Sequence, residues 1–187
     1  MPGLTIMNHL RSNGVACYCR GVIGWWCLLA ALLAGGPAGA QALKSWNGAA
    51  TPALDLPDLD GKQHRLAGYR GRVLLVNFWA TWCEPCRDEM PAMQRLRQRF
   101  ADKPFTVVAV NAGESAARVH EYLAKEKVAL DFVFLRDHSG AAMKAWRVRG
   151  LPASFILGAD GRILYSQLGE LNWDDERLVA QIARLLP

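Results

Sequence analysis

The sequence has no acidic residue among its first 40 positions, where Arg11 and Arg20 are the only basic residues apart from one histidine. All 17 Asp and Glu follow position 40 together with 20 of the 22 Lys and Arg, which leaves positions 41–187 with a net charge of +3. This small, scattered positive excess gives no reason to expect a nucleic-acid partner. The 187 residues also lack a fixed-period repeat, which excludes solenoids and fibres. With 51% hydrophobic residues, the chain has the composition of one globular domain with an appendage.

A long apolar run is also missing from this acid-free leader. The run at positions 22–34 has 13 residues, whereas a membrane-spanning helix needs about 20. Two arginines precede it and the small residues Ala38-Gly39-Ala40 follow, a pattern typical of a secretory signal peptide. We predict that positions 1–40 are a signal peptide cleaved near Ala40. An uncleaved N-terminal membrane anchor is the alternative.

Cysteine is scarce beyond the leader, because three of the five cysteines precede position 40 and only Cys83 and Cys86 follow it. The leader's Cys17 and Cys19 form a C-x-C pair without partners, which cannot fill a tetrahedral metal site. Exported proteins usually place their cysteines in structural disulfides. Here a single closely spaced pair remains, so its chemistry must be judged from its own surroundings.

The rest of the chain predicts a linker and one folded domain. Positions 41–50 are polar and irregular and predict the linker, whereas positions 51–187 predict an α/β domain. The domain begins with a short hairpin, whose strands at 54–56 and 64–66 flank an Asp-Gly turn signal.

Strands and helices then alternate, which is typical of an α/β sandwich whose long strands pair in parallel through right-handed crossovers. Pro91 is expected to kink the helix in which it lies. The predicted strands are 73–79, 105–110, 132–135, 154–157 and 163–165, and the predicted helices are 86–100, 115–127, 141–146 and 172–186.

The pair Cys83 and Cys86 comes just after a buried type of strand and opens a helix. The free N–H groups and positive dipole end at a helix start favour thiolate over thiol, and only the thiolate attacks a disulfide. Pro85 suits the first helical turn, since its missing N–H would have no partner there. We therefore predict a redox-active pair in which Cys83, the outer residue, attacks and Cys86 resolves. The alternatives are half of a zinc site, which needs two more ligands, and an inert disulfide.

The block from Val76 to Pro91, which reads VNFWATWCEPCRDEMP, resembles the exported thioredoxin-like reductases of the TlpA/ResA type. Thr51-Pro52 and the stretch from Gly150 to Phe155 (GLPASF) extend the resemblance over positions 51–186. The resemblance implies a thioredoxin-like α/β fold, with a central mixed sheet flanked by helices and an N-terminal β-hairpin extension.

The resemblance also assigns roles to residues around the pair. Pro152 falls where the family has a cis-proline packed against the cysteines, with an ordinary trans proline as the alternative. Glu89 matches an acidic residue that tunes the cysteine pKa values and relays protons, with a solvated helix glutamate as the alternative. Trp82 is expected to shield the disulfide and contact clients, the alternative being a packing role.

Three further residues complete the predicted client surface: Glu84, Pro85 and Leu151, beside Trp82. Glu84 adds a negative charge beside the thiolate of Cys83, which opposes thiolate formation and predicts a reducing couple. The loops at 113–115 and 171–173 are placed on the same surface as a guess.

The implied function is reduction of protein disulfides outside the cytoplasm, with the Cys83–Cys86 disulfide as the redox group and no other cofactor. The expected clients are apocytochrome c and copper-site proteins, and the expected electron donor is a membrane reductase of the DsbD/CcdA type. One alternative is a Cu(I)-binding chaperone, because soft thiolates prefer Cu(I). Another is a peroxiredoxin-type peroxidase, although Ala80 stands where that class has threonine three residues before the reactive cysteine.

Overall fold

The computed structural model describes residues 43–48 and 50–187. The predicted signal peptide or anchor at 1–40 lies outside the described residues. Eight strands are described: β1 (Lys44–Ser45), β2 (Asp55–Pro57), β3 (Gln63–Arg65), β4 (Val73–Trp79), β5 (Phe105–Ala112), β6 (Val133–Asp137), β7 (Ala153–Leu157) and β8 (Ile163–Leu168). The α-helices are α1 (Glu84–Arg99), α2 (Ala116–Leu123), α3 (Ala141–Ala145) and α4 (Glu176–Ala183), with a 3₁₀ helix at Leu66–Tyr69.

Six strands form one mixed sheet in the order β1-β8-β7-β4-β5-β6. The parallel part comprises β4, β5 and β6, and β7 and β8 add antiparallel strands on the other side of β4. This is the thioredoxin-like arrangement that was predicted. The predicted hairpin is present as the separate two-stranded sheet of β2 and β3.

The central strand β4 is apolar along most of its length because both of its faces are covered. Alternate residues point to opposite faces. Val73 and Leu75 pack with Met93 of α1, whereas Val76 and Phe78 belong to the apolar cluster on the other face. Burying each of these large side chains stabilises the fold by about 1.5–3 kcal/mol.

The segment predicted as an irregular linker contains a strand instead. Lys44 and Ser45 pair antiparallel with Ser166 and Tyr165 on the edge of β8, and Leu43 is buried beside them. The local sequence could not show this pairing, because its partner strand lies 120 residues further along the chain.

The helix bounds differ from those predicted, except that α3 begins at Ala141 as expected. Helix α1 starts at Glu84 and continues through Pro91 without interruption; the carbonyl that Pro91 leaves without its helical partner is that of Arg87, an exposed residue. Helix α4 starts late because the Asp175 side chain accepts hydrogen bonds from the N–H groups of Arg177 and Leu178, as an N-cap does. None of the helices within the described residues is long and apolar enough to cross a membrane.

Candidate active site at the end of the central strand

The two cysteines lie just after β4, at the start of α1. After Trp79 the chain turns, with the Cys83 N–H donating to the Ala80 carbonyl over 3.2 Å. Cys83 is the N-cap of α1 and Pro85 occupies its first turn. The structure shows the oxidised pair, with a Cys83–Cys86 S–S distance of 2.00 Å. The predicted position of the pair at a helix start is therefore the observed one.

The two sulfur-bearing residues differ in their access to solvent. Cys83 keeps 6% of its surface exposed and Cys86 keeps none. The order is as predicted, although Cys83 is more enclosed than an outer residue was expected to be. Cys83 is therefore the more accessible residue of the pair.

Pro152 lies next to the segment that pairs with the central strand β4. It immediately precedes β7, whose Ala153 pairs with Phe78 near the end of β4, and the Leu151–Pro152 peptide bond is cis. The Pro152 carbonyl accepts a hydrogen bond from the Gly169 N–H over 2.8 Å, and Leu151 packs against the apolar cluster that contains both cysteines.

Trp82 projects from the turn with 69% of its surface exposed, so a purely packing role for its ring is wrong. Glu84 and Pro85 are exposed next to it. A groove of about 510 Å³, which we call the Trp82 groove, begins at this ring. Its lining includes Trp82, Gly113, His138, Met143, Arg149 and Leu151.

Glu89, one turn after Cys86 on α1, is buried with 2% of its surface exposed, so the solvated alternative is wrong. Its Oε1 accepts from Asn77 Nδ2 over 2.7 Å. Its Oε2 accepts from the Leu171 N–H over 3.2 Å and from the Trp173 indole N–H over 3.1 Å. Burial raises the pKa of Glu89 to about 7, although these three hydrogen bonds act to lower it. Glu89 is therefore about half ionised near neutral pH.

Three polar groups around Glu89 were not found from the sequence: Asn77, Ser154 and Trp173. Asn77 Nδ2 also donates to Ser154 Oγ over 3.0 Å, and all three residues are buried. The only available signal was an asparagine in the middle of the apolar strand β4. The guess that residues 171–173 line the client surface is wrong for Leu171 and Trp173, which are buried and hold Glu89.

A second carboxylate reaches the turn from the β5–α2 loop. Glu114 Oε2 accepts from the Thr81 N–H over 2.7 Å, and Oε1 accepts from Thr81 Oγ1 over 2.6 Å. Partial burial acts to raise the pKa of Glu114, but the hydrogen bonds from Thr81 and Asn111, with Arg118 nearby, outweigh it and hold that pKa below its ordinary value. This contact was also not predicted, since the two residues are 33 positions apart.

Within residues 43–48 and 50–187, no group of three or more His, Cys, Asp or Glu side chains is arranged to hold a metal ion.

A family model described as Redoxin matches residues 46–182 of the chain. The chain belongs to the redoxin family. Curated relatives narrow this placement to thiol-disulfide oxidoreductases. The ResA thiol-disulfide oxidoreductase of Geobacillus thermodenitrificans is 34% identical over 128 residues, which cover 68% of this chain and 72% of the relative. The ResA protein of Bacillus subtilis is 32% identical over 117 residues, which cover 63% of this chain and 64% of the relative.

Solved structures agree with this placement of our redoxin-family protein. A DsbE-type thiol:disulfide interchange protein from Chlorobium tepidum superposes with a TM-score of 0.67 at 31% identity, covering 77% of this chain and 99% of its own. A thioredoxin from Neisseria meningitidis gives a TM-score of 0.63 at 29% identity, covering 78% of this chain and 91% of its own. The protein is thus a thioredoxin-like thiol-disulfide oxidoreductase with Cys83 and Cys86 in the C-x-x-C position.

Proposed function

We propose that this oxidoreductase works as a reductase of disulfides in client proteins outside the cytoplasm, with Cys83 as the attacking residue and Cys86 as the resolving one. The unequal exposure of the two cysteines supports this assignment most directly. Cys83 caps the helix and keeps some access to solvent, whereas Cys86 is enclosed one turn further on. A client sulfur can reach the first but not the second.

The exchange has two steps. The Cys83 thiolate attacks one sulfur of the client disulfide, forming a mixed disulfide, and the other client sulfur leaves as a thiolate. Cys86, once deprotonated, then attacks Cys83 Sγ, which forms the Cys83–Cys86 disulfide and releases the second client sulfur. Two electrons pass to the client, whose disulfide is reduced while the protein's dithiol is oxidised.

Glu89 is the proposed proton acceptor and donor for the buried cysteine. It follows Cys86 by one helical turn, and a pKa of about 7 lets it take and return a proton near neutral pH. Its three hydrogen-bond donors, from Asn77, Leu171 and Trp173, fix the carboxylate in place.

The proposed client surface combines exposed and apolar groups beside the disulfide. Trp82, Glu84 and Pro85 are exposed at the turn and the start of α1, and Leu151 packs against the apolar cluster that contains both cysteines. The Trp82 groove gives an unfolded client segment a place for an apolar side chain next to its cysteine.

The location and the electron supply follow from the leader and from the direction of transfer. A signal peptide cleaved near Ala40, or an anchor retained at positions 1–40, would place the domain outside the cytoplasm. Because such compartments are oxidising, the Cys83–Cys86 disulfide must be reduced again by a membrane reductase of the DsbD/CcdA type. Clients whose cysteine pairs must be reduced before use, namely apocytochrome c and copper-site proteins, fit this role.

Trapping tests the proposal directly. The Cys86→Ser variant should stall the mixed disulfide on Cys83, and mass spectrometry of the trapped complexes should recover apocytochrome c or copper-site proteins. The matched Cys83→Ser variant should trap none of them. Equal trapping by both variants would overturn the assignment of the two roles.

The direction of transfer needs its own measurement. We expect equilibration with glutathione to place the reduction potential of the pair on the reducing side of about −180 mV, the value of an isomerase. A potential near about −120 mV, that of a strong oxidant, would reverse the direction.

A further inference from the structure

Glu114 lies far from the cysteines in sequence, yet its carboxylate holds the turn that leads to them. The Thr81 backbone N–H and the Thr81 hydroxyl donate to different oxygens of this carboxylate over 2.7 and 2.6 Å. Thr81 is buried, and Glu114 retains 13% side-chain exposure. A single carboxylate therefore fixes both the backbone and the side chain of one residue in the turn.

Glu114 is itself held in place by Asn111. Asn111 Nδ2 donates to Glu114 Oε2 over 2.8 Å, and Asn111 Oδ1 accepts from the Glu114 N–H over 3.1 Å. Asn111 is fully buried at the end of β5, where it pairs in register with Trp79 of β4. The glutamate is thus anchored to the sheet that carries the cysteine turn.

The turn in question runs from Ala80 to Cys83. The Cys83 N–H closes it on the Ala80 carbonyl over 3.2 Å, and Thr81 with Trp82 forms its tip. A shift of Thr81 moves Cys83 relative to the free N–H groups at the start of α1, which stabilise its thiolate. The same shift would move the exposed Trp82 ring.

We propose that Glu114 is a positioning residue for the thiol–disulfide exchange at Cys83: through its two hydrogen bonds with Thr81 it holds the thiolate of Cys83 at the helix N-terminus. The proposal rests on the proposed role of Cys83 as the attacking residue. It goes beyond that role by adding a contact from the β5–α2 loop.

The charge of the carboxylate strengthens this contact. Both oxygens accept hydrogen bonds, from three donors in all: the Thr81 N–H, Thr81 Oγ1 and Asn111 Nδ2. A glutamine at position 114 can accept from the Thr81 N–H and Asn111 with its one oxygen and donate to the Thr81 hydroxyl, but its bonds lack the strength that a charged acceptor gives. We therefore expect Glu114→Gln to recover only part of the function that Glu114→Ala loses.

Positioning and simple charge predict opposite effects on Cys83. If Glu114 acted on the thiolate only as a nearby negative charge, its removal would lower the pKa of Cys83. If it holds the turn, its removal takes the thiolate away from its donors and raises that pKa. The direction of the change therefore separates the two mechanisms.

The experiment measures alkylation of Cys83 by iodoacetamide in the reduced full chain as a function of pH, with the site identified by mass spectrometry. We expect Glu114→Ala to slow alkylation about tenfold below the pKa of Cys83, which corresponds to a pKa rise of about one unit. Thr81→Val, which removes only the hydroxyl, should slow it less, and Thr81→Ser should restore the native rate. The double variant Glu114→Ala with Thr81→Val should be alkylated no more slowly than Glu114→Ala alone, because both substitutions remove the same contact.

The controls use the same region of the chain and need no client. Lys125 lies just after α2 and pairs with Glu121 over 2.6 Å, so Lys125→Ala should leave the alkylation profile unchanged. A faster or unchanged rate in folded Glu114→Ala would overturn the proposal. If that variant does not fold, equal rates for Thr81→Val and Thr81→Ser would overturn it. Failure of client trapping would instead count against the proposed function, because alkylation reports on Cys83 alone.

Discussion

Two glutamates approach the ends of the same cysteine segment, and the protein sets their acidities in opposite directions. Glu89 follows the pair by one turn of α1, with a pKa raised to about 7. Glu114 lies over the preceding turn, with a pKa below its ordinary value. Each accepts three hydrogen bonds, so the number of donors does not explain the difference.

Burial and neighbouring charge explain it. Glu89 keeps 2% of its surface exposed, and the charge of Glu170 opposes its ionisation. Glu114 is more exposed, accepts bonds of 2.7 and 2.6 Å from Thr81 and has the Arg118 guanidinium at 4.0 Å. A carboxylate that keeps its charge can hold a turn, whereas one that gains and loses a proton near pH 7 can exchange a proton with a cysteine. The same residue type therefore has two roles around one disulfide.

The largest expected effect is on activity, and it concerns Glu89 alone. Glu89→Gln should slow reduction of a protein disulfide by about a hundredfold at pH 7, since general acid–base catalysis contributes typically 10²–10⁴-fold. The step in the native rate near pH 7 should disappear with it. Stopped-flow reduction of insulin across pH 5–9 measures both.

The neighbouring Asp88 provides the matched control, because it is an exposed carboxylate on the same helix. Asp88→Asn should retain the native rate and pH profile. A Glu89→Gln variant that kept the native step near pH 7 would remove Glu89 from the proton transfer.

The next effect is on stability. Glu89 should make the folded protein more stable at acidic pH than at neutral pH. Its pKa rises from 4.5 in the unfolded chain to about 7 in the folded protein, so folding binds a proton in this interval. The stabilisation is complete below pH 4.5 and is lost as the pH rises through 7. Relative to Glu89→Gln, the native protein should lose about 3 kcal/mol of unfolding free energy between pH 4 and pH 8, measured by urea denaturation of the oxidised forms.

Glutamine at position 89 can replace protonated Glu89 because both side chains donate a hydrogen bond and the pocket contains an acceptor for it. Within the described residues, Asn77 Oδ1 is buried without a hydrogen-bond partner. Rotation of the Asn77 amide would turn this oxygen toward position 89. A constant stability difference between the two proteins over this pH range would contradict the raised pKa.

Glu114 should show the opposite dependence, with a smaller amplitude. Its pKa is lowered, so its stabilisation is present above pH 4.5 and is lost as the pH falls through the folded-state value. Glu114→Gln should cost about 2 kcal/mol at pH 7, the range for hydrogen bonds to a charged group, and much less at pH 3. Denaturation at the two pH values checks this, and an equal cost at both would show that the charge of Glu114 is not what the turn requires.

The smallest expected effect concerns one donor to Glu89. Trp173→Phe keeps the buried ring but removes the indole N–H that donates to Oε2 over 3.1 Å. Because that bond lowers the pKa of Glu89, its loss should move the activity step to a pH higher than about 7, by less than one unit. A step that moved to lower pH would contradict the assignment of this hydrogen bond.

The parts of this arrangement that are local in sequence were predictable, and those that join distant residues were not. The strand, the C-x-x-C spacing and Pro85 together indicated a helix start at the pair, and the Leu151-Pro152 position followed from the family resemblance. The hairpin followed from the Asp60-Gly61 turn signal between the two short segments at 54–56 and 64–66. Glu89 could be named as a candidate, and its place four residues before Met93 and seven before Leu96 put it on the buried face of α1.

The surroundings of Glu89 and of the cysteine turn depend on contacts between distant parts of the chain. Trp173 lies 84 positions from Glu89 in the sequence, and Glu114 lies 33 positions from Thr81. Lys44 and Ser166, which pair in the sheet, lie still further apart in the sequence. The local sequence therefore predicts a linker where the structure has a strand. No periodicity or turn signal encodes such contacts, because they arise only when the sheet is assembled.

The central claim is that Cys83 attacks and Cys86 resolves, and the first covalent step tests it most directly. Reduced protein is mixed with a peptide disulfide, and the adduct on each cysteine is followed by rapid quench and mass spectrometry. We predict that Cys86→Ser accumulates the adduct on Cys83 at a rate close to the native one, while Cys83→Ser forms none on the same timescale. An adduct that forms on Cys86 in the Cys83→Ser variant as fast as the native reaction would contradict the account.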